Sequence, residues 1–279
     1  MSNFLKRTLT GAIFLVVMIG GIAWNQYSLM VLFFVIAMLG LDEFYNLLTK
    51  AGYFPNRKLG LLCGGTIFLL IILSGLMGEL PVLYISFVLA ACIFFSELYR
   101  NKPTPFHNVA ITILGIVYVV MPFALWVNFL KGYNTDSGAY NPHLLLGYFF
   151  LLWTNDTGAY LVGMSMGKHK LWERISPKKT WEGFVGGVIL SIIIGYVISM
   201  FYTELHPMLW MIMGAIVGIT GTMGDLVESV LKRSIDAKDS GSILPGHGGI
   251  LDRFDGVLLS TPFVLVLLEL VQRVNGLLN

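Results

Sequence analysis

Charge is scarce in this chain of 279 residues: Asp, Glu, Lys and Arg make up 12%, against about 25% in soluble globular domains. With 56% hydrophobic residues and a mean hydropathy of +0.77, that scarcity excludes an ordinary soluble domain. Cysteine is scarcer still. Cys63 and Cys92 both fall inside apolar runs, where a free thiol behaves as a small hydrophobe, so no disulfide framework is expected. The formal net charge of +2 is too small to argue for a nucleic-acid partner, and none is expected. No repeat, low-complexity stretch or long soluble domain is visible. His107, His143, His169 and His206 lack metal-ligand spacing. Lys6 and Arg7 precede an apolar run, as in a signal peptide, but no small-residue cleavage site follows; an uncleaved first helix is expected.

Long apolar runs dominate instead. They cover Leu9–Trp24, Tyr27–Phe44, Leu61–Leu76, Leu80–Phe95, Val109–Phe129, His143–Met164, Gly183–Tyr202, Met208–Val230 and Val257–Val271. Their lengths lie near the roughly 20 residues a helix needs to cross a bilayer, and lipid leaves backbone amides no partner but their own helix. The expected fold is therefore all-α and polytopic, with about nine transmembrane helices.

The basic residues test this division. Alternate connections hold Lys6 and Arg7; Lys50, Arg57 and Lys58; Arg100 and Lys102; Lys168, Lys170, Arg174, Lys178 and Lys179; and Lys232, Arg233, Lys238 and Arg253. Only Lys131 and Arg273 remain for the other face. That skew predicts a cytoplasmic N-terminus and an external C-terminus in the cell membrane.

Residues 1–142 carry short, bland loops and read as N-terminal transmembrane helices, whereas 143–279 contain two long polar connections, Ser165 to Glu182 and Lys232 to Gly256. The later region is the expected catalytic one.

Asp156, Asp225 and Glu228 lie at or inside span ends, where ionisable groups face a cavity, a partner or an ion. Asp225, Glu228 and Ser229 share one helix face by their spacing. An interfacial ion pair with Lys232 or Arg233 would explain Glu228 equally well; for the deeper Asp225 a functional role is favoured. Asp252 and Asp255 are three residues apart, and paired hard oxygens suit Mg²⁺, which takes one or two carboxylates plus substrate phosphates. Gly246, Gly248 and Gly249 permit unusual backbone angles and close approach. A helix starting near Gly249 would leave amide groups free for an anion. A glycine-rich turn with Asp252 as its helix cap is the plainer alternative, though it leaves His247, Arg253 and Asp255 unexplained. His247 suits a structural or phosphate-orienting role.

In GKHKLWERISPKKTWEGFVGG, Lys168, Lys170, Lys178 and Lys179 could hold lipid headgroups or a polyphosphate. Pro177 makes Ser176 to Thr180 a structured turn before a helix, and Gly183, Gly186 and Gly187 permit close helix packing.

The run from Ser229 to Asp255, SVLKRSIDAKDSGSILPGHGGILDRFD, resembles the signature of the phosphatidate cytidylyltransferases, the CDP-diacylglycerol synthases. NDTGAYLVGMSMGK and SPKKTWEG upstream are also similar to that family. The resemblance implies the reaction CTP + phosphatidate → CDP-diacylglycerol + pyrophosphate, with Mg²⁺. For that reaction the expected catalytic residues are Asp225, Asp252, Asp255, His247, Lys232, Arg233 and Arg253, with Asp225 and Asp252 as the principal metal ligands and Asp255 and Asp156 in support. Substrate contacts are expected from Lys178, Lys179, Ser229, Lys238, Asp239, Gly246, Gly248, Gly249 and Asp156. Two anionic substrates must meet, so positioning and charge neutralisation are the main demands. Packing glycines are compatible with a homodimer. The alternatives are a CTP-dependent enzyme acting on another lipid and an ion-coupled transporter, although a transporter would favour midplane sites and internal repeats.

Overall fold

A computed structural model describes residues 3–77, 81–132, 140–243, 246 and 248–278. The fold is all-α and polytopic. Ten α-helices and one short hairpin are present among the described residues, and seven helical rods are long and apolar enough to cross a membrane. The chain divides into two compact units, Met1–Tyr140 with Ala237–Arg253, and Asn141–Asp236 with Phe254–Asn279.

The first unit contains α1 (Asn3–Trp24), α2 (Gln26–Lys50), α3 (Arg57–Met77), α4 (Val82–Arg100), α5 (Pro105–Gly115) and α6 (Met121–Gly132). A π-helical turn, Ile116–Val120, joins α5 to α6, so the pair forms one rod. The break between α1 and α2 is chemical: the Asn25 side chain accepts from the Tyr27 and Ser28 amides while Ser28 Oγ accepts from the Asn25 amide, a capping box that starts a new helix. Phe33, Ala37, Leu41, Phe44 and Tyr45 of α2 are buried. Tyr45 donates its hydroxyl to the Thr112 carbonyl at 2.6 Å, which satisfies a polar group in an apolar core. In α4, by contrast, Leu83, Tyr84, Phe87, Val88 and Leu98 are exposed. So large an apolar face suits lipid rather than water.

The second unit contains α7 (His143–Met166), strands β1 (Lys170–Trp172) and β2 (Ser176–Thr180), α8 (Trp181–Ser199), α9 (Pro207–Ser234) and most of α10 (Leu251–Leu278). The segment Ser176–Thr180, expected as a turn, is a strand paired antiparallel with β1, Lys170 opposite Thr180 and Trp172 opposite Ser176. Its extended backbone is what Pro177 favours for the residue before it. Thr180 then caps α8, its hydroxyl accepting from the Gly183 amide at 3.2 Å.

Helices α7, α8 and α9 meet backbone to backbone. A Cβ at Gly187 would lie 2.8 Å from the Asn155 carbonyl oxygen, one at Gly183 2.7 Å from that of Ala159, and one at Gly214 2.5 Å from that of Ser191. Small residues at such crossings replace the hydrophobic driving force that lipid does not supply. In the connection from α8 to α9, the Glu204 carboxylate accepts from Asn141 Nδ2 at 2.7 Å and pairs with His143. Burial raises its affinity for a proton, but these hydrogen bonds outweigh burial and hold its pKa below the ordinary value.

Candidate functional site

The hairpin, α7, α8 and α9 of the second unit enclose a cavity of about 500 Å³ lined by Asp156, Tyr160, Gly163, Lys170, Lys178, Lys179, Thr180, Thr222 and Asp225, among others. Four of the expected site residues thus face one space: Asp156, Lys178, Lys179 and Asp225. Each arrives for a local reason. The hairpin carries Lys178 and Lys179 back toward the start of α8, and Asp225 stands one helical turn beyond Thr222 on α9. Thr222 is itself fixed, accepting from Asn155 Nδ2 at 3.1 Å and donating to the Gly218 carbonyl at 2.9 Å.

Both oxygens of Asp225 are engaged. Lys179 Nζ lies 2.5 Å from Oδ2, and Ser229 donates to Oδ1 at 3.3 Å. Glu228 is buried and pairs with Lys232 at 3.1 Å, which is the interfacial ion pair that its spacing allowed. Asp255 is half-buried, with Asp225, Glu228 and Asp156 as its charged neighbours. Three carboxylates within electrostatic reach of Asp255 favour a cation beside it. Among the described residues, no group of three or more His, Cys, Asp or Glu is arranged to hold a metal by itself. This donor set fits Mg²⁺, which completes its shell with waters and substrate phosphates rather than a closed protein cage.

The signature segment Ala237–Arg253 belongs to the first unit. There Asp252 Oδ2 accepts from the Ser240 amide at 3.0 Å, the Ser240 hydroxyl at 2.9 Å and the Gly249 amide at 2.8 Å. Gly248 has a φ of +84°, and a Cβ there would lie 2.5 Å from Asp252 Oδ2; only glycine meets both constraints. Gly246 also has a positive φ, +78°. The sequence suggested open amides at the start of α10, but the structure has those of Gly249, Ile250 and Leu251 taken by side chains. Ile250 and Leu251 donate theirs to Glu43, each at 3.0 Å, and that of Gly249 goes to Asp252.

Arg233, Lys238, Asp239 and Arg253 are exposed, and His247 lies outside the described residues. Glu43 was missed from the sequence, where it is one more polar residue of an apolar helix. Glu182 was missed as well: from the first turn of α8 it accepts from the amides of Lys168 at 3.1 Å and His169 at 3.2 Å, and closes on His169 Nδ1 at 2.6 Å. It fastens the entry of the hairpin to α8. An acid two residues after a capping threonine was the available signal.

In this multi-pass helical membrane protein, lysines and carboxylates around one cavity are groups of the kind that bind phosphates and cations. The chain belongs to the cytidylyltransferase family, which it matches over residues 5–271. It is 37% identical over 270 residues to the phosphatidate cytidylyltransferase of Staphylococcus saprophyticus. It is also similar to the proteins of that name from Staphylococcus haemolyticus, 34% over 276 residues, and Staphylococcus aureus strain COL, 34% over 268 residues. Each match covers 94% of this chain and 98% of the relative.

Proposed function

We propose that the chain is a phosphatidate cytidylyltransferase: a phosphate oxygen of phosphatidate bonds to the α-phosphorus of CTP while the bond from that phosphorus to the β-phosphate oxygen breaks, giving CDP-diacylglycerol and pyrophosphate. The observation that carries this reading is the cavity in which Lys178 and Lys179 meet Asp225 and Asp156, in a chain alike along nearly its whole length to enzymes with that name.

The chemistry needs few protein groups. The attacking oxygen is already largely ionised at neutral pH, so no general base is required, and the barrier lies in bringing two polyanions together. Lys178 and Lys179 would offset phosphate charge inside the cavity. Lys232, Arg233, Lys238 and Arg253 would do so along α9 and the signature segment, Arg by bidentate contact and Lys as point charges. Asp225 and Asp252 are proposed as Mg²⁺ ligands, with Asp255 and Asp156 in support and Ser229 orienting Asp225. When bound, Mg²⁺ supplies Lewis-acid stabilisation of the phosphate oxygens. Asp239, Gly246, His247, Gly248 and Gly249 are proposed to shape the substrate side of the signature segment. The basic connections support a site at the cytoplasmic face, where CTP arrives while the acyl chains stay in lipid.

The test is pyrophosphate release by purified protein in mixed micelles with CTP and Mg²⁺, comparing phosphatidate, diacylglycerol and no lipid. Release that depends on phosphatidate is expected; equal release with diacylglycerol, or none with phosphatidate, would overturn the proposal.

A further inference from the structure

Glu43 is a buried acid, 4% exposed, in the C-terminal half of α2, and the chemistry above does not use it. Its carboxyl group is surrounded by one stretch of chain about 200 residues away. Oε1 accepts from the Ser240 hydroxyl and from the Leu251 amide at 3.0 Å, and Oε2 accepts from the Ile250 amide at 3.0 Å. A Cβ at Gly241 or at Gly249 would collide with the same carboxyl group. Both arms of the signature segment therefore close on Glu43: Ser240 and Gly241 before the loop, Gly249 to Leu251 after it. One turn earlier on α2, a Cβ at Gly40 would rest 3.5 Å from Ile250 Cγ2 and 3.7 Å from Leu251 Cδ2. This helix face is shaped to the start of α10.

Ser240 joins Glu43 to Asp252. Its one hydroxyl proton is within hydrogen-bond distance of Glu43 Oε1 and of Asp252 Oδ2, and its amide also goes to Asp252. Displacing Glu43 would free the Ile250 and Leu251 amides and alter the partner that Ser240 shares with Asp252.

We propose that Glu43 is a positioning residue for catalysis: it pins the signature segment to α2 and thereby sets the orientation of Asp252 and Arg253. The proposal rests on the reading that this segment serves cytidylyl transfer. An acid is suited to the task because two amides on different oxygens require two acceptor atoms. Glutamine supplies one acceptor and turns an N–H₂ group toward an N–H.

The experiment compares wild type with Glu43→Gln, measuring kcat and KM for CTP per folded molecule together with hydrogen exchange at residues 249–252. In the variant, the Ile250 and Leu251 amides should exchange about 10- to 100-fold faster. The kcat should fall by a similar factor, as for loss of a buried hydrogen bond to a charged group, with KM for CTP changed less than about threefold. Faster exchange with wild-type kcat would make Glu43 merely structural and overturn the proposal, as would unchanged exchange. If Glu43→Gln does not fold, Ser240→Ala removes the shared donor without stranding an acid. It should lower kcat several-fold, and a wild-type kcat would again overturn the proposal. Failure of the functional reading is separable: it would show as wild-type protein with no phosphatidate-dependent release, whatever the amide exchange.

Discussion

The acids of the two units are treated differently by the chain around them. In the first unit, Glu43 and Asp252 are fed by backbone amides and a serine hydroxyl, neutral donors that hold a carboxylate still. In the second, Asp225, Asp156 and Glu228 are charged neighbours of Asp255, with lysines at Asp225 and Glu228. The first arrangement fixes a loop. The second concentrates charge beside a cavity, which is useful only if cations and phosphates come to it. Neutral donors serve two ends here: Glu43 holds the signature segment, and Asp252, held by donors of the same kind, is proposed as a Mg²⁺ ligand that they keep in place.

The largest effect is expected of Asp225→Asn, which keeps size and removes charge. Turnover should fall by about 10³-fold, the upper end of the loss on removing one transition-state electrostatic contact, and assays across a range of Mg²⁺ would show whether metal restores it. Near-normal activity at low Mg²⁺ would remove Asp225 from the site. Next in size, Lys179→Ala should cut kcat/KM for CTP by roughly 10- to 100-fold, mostly through KM, measured by initial rates; an unchanged KM would detach the hairpin from nucleotide binding.

Two glycines separate packing from chemistry. Gly214→Ala sets a methyl group against the Ser191 carbonyl and should cost about 1–3 kcal/mol of stability, read as a lower unfolding midpoint in detergent with little change in kcat. Gly248→Ala, at φ +84° beside Asp252, should cost a similar ~1–3 kcal/mol in strain and should lower kcat as well. Equal kinetic effects at both positions would erase the distinction.

The smallest effect concerns Glu204. Its pKa is lowered from 4.5, so its contribution is present above the unfolded value and is lost as pH falls through the folded one. Glu204→Gln should remove about 1 kcal/mol at neutral pH and flatten the acid side of the stability profile. A profile identical to wild type would show that the pair with His143 contributes nothing.

The helices were legible because lipid demands apolar runs of one length, and even the capping box at Asn25 lies within four consecutive residues. Asp225, Lys178 and Lys179 could be picked out because charge is rare in this chain and clusters near span ends. Three things were not legible. The sequence marks Lys178 and Lys179 as headgroup or phosphate lysines, but a hairpin rather than a turn brings Lys179 to Asp225. The amides of α10 looked open because a helix start usually is; the group that takes them is 207 and 208 residues away. Glu43 itself, beside Asp42 near the end of an apolar span, carries no local pattern that announces its partners.

Cytidylyl transfer at Asp225 is measured by following label from [α-³²P]CTP into lipid with purified wild type and Asp225→Asn, phosphatidate and Mg²⁺. The account predicts labelled CDP-diacylglycerol from the wild type and loss of that label by about 10³-fold in the variant. Equal labelling by the two proteins, with both shown to be folded, would contradict it.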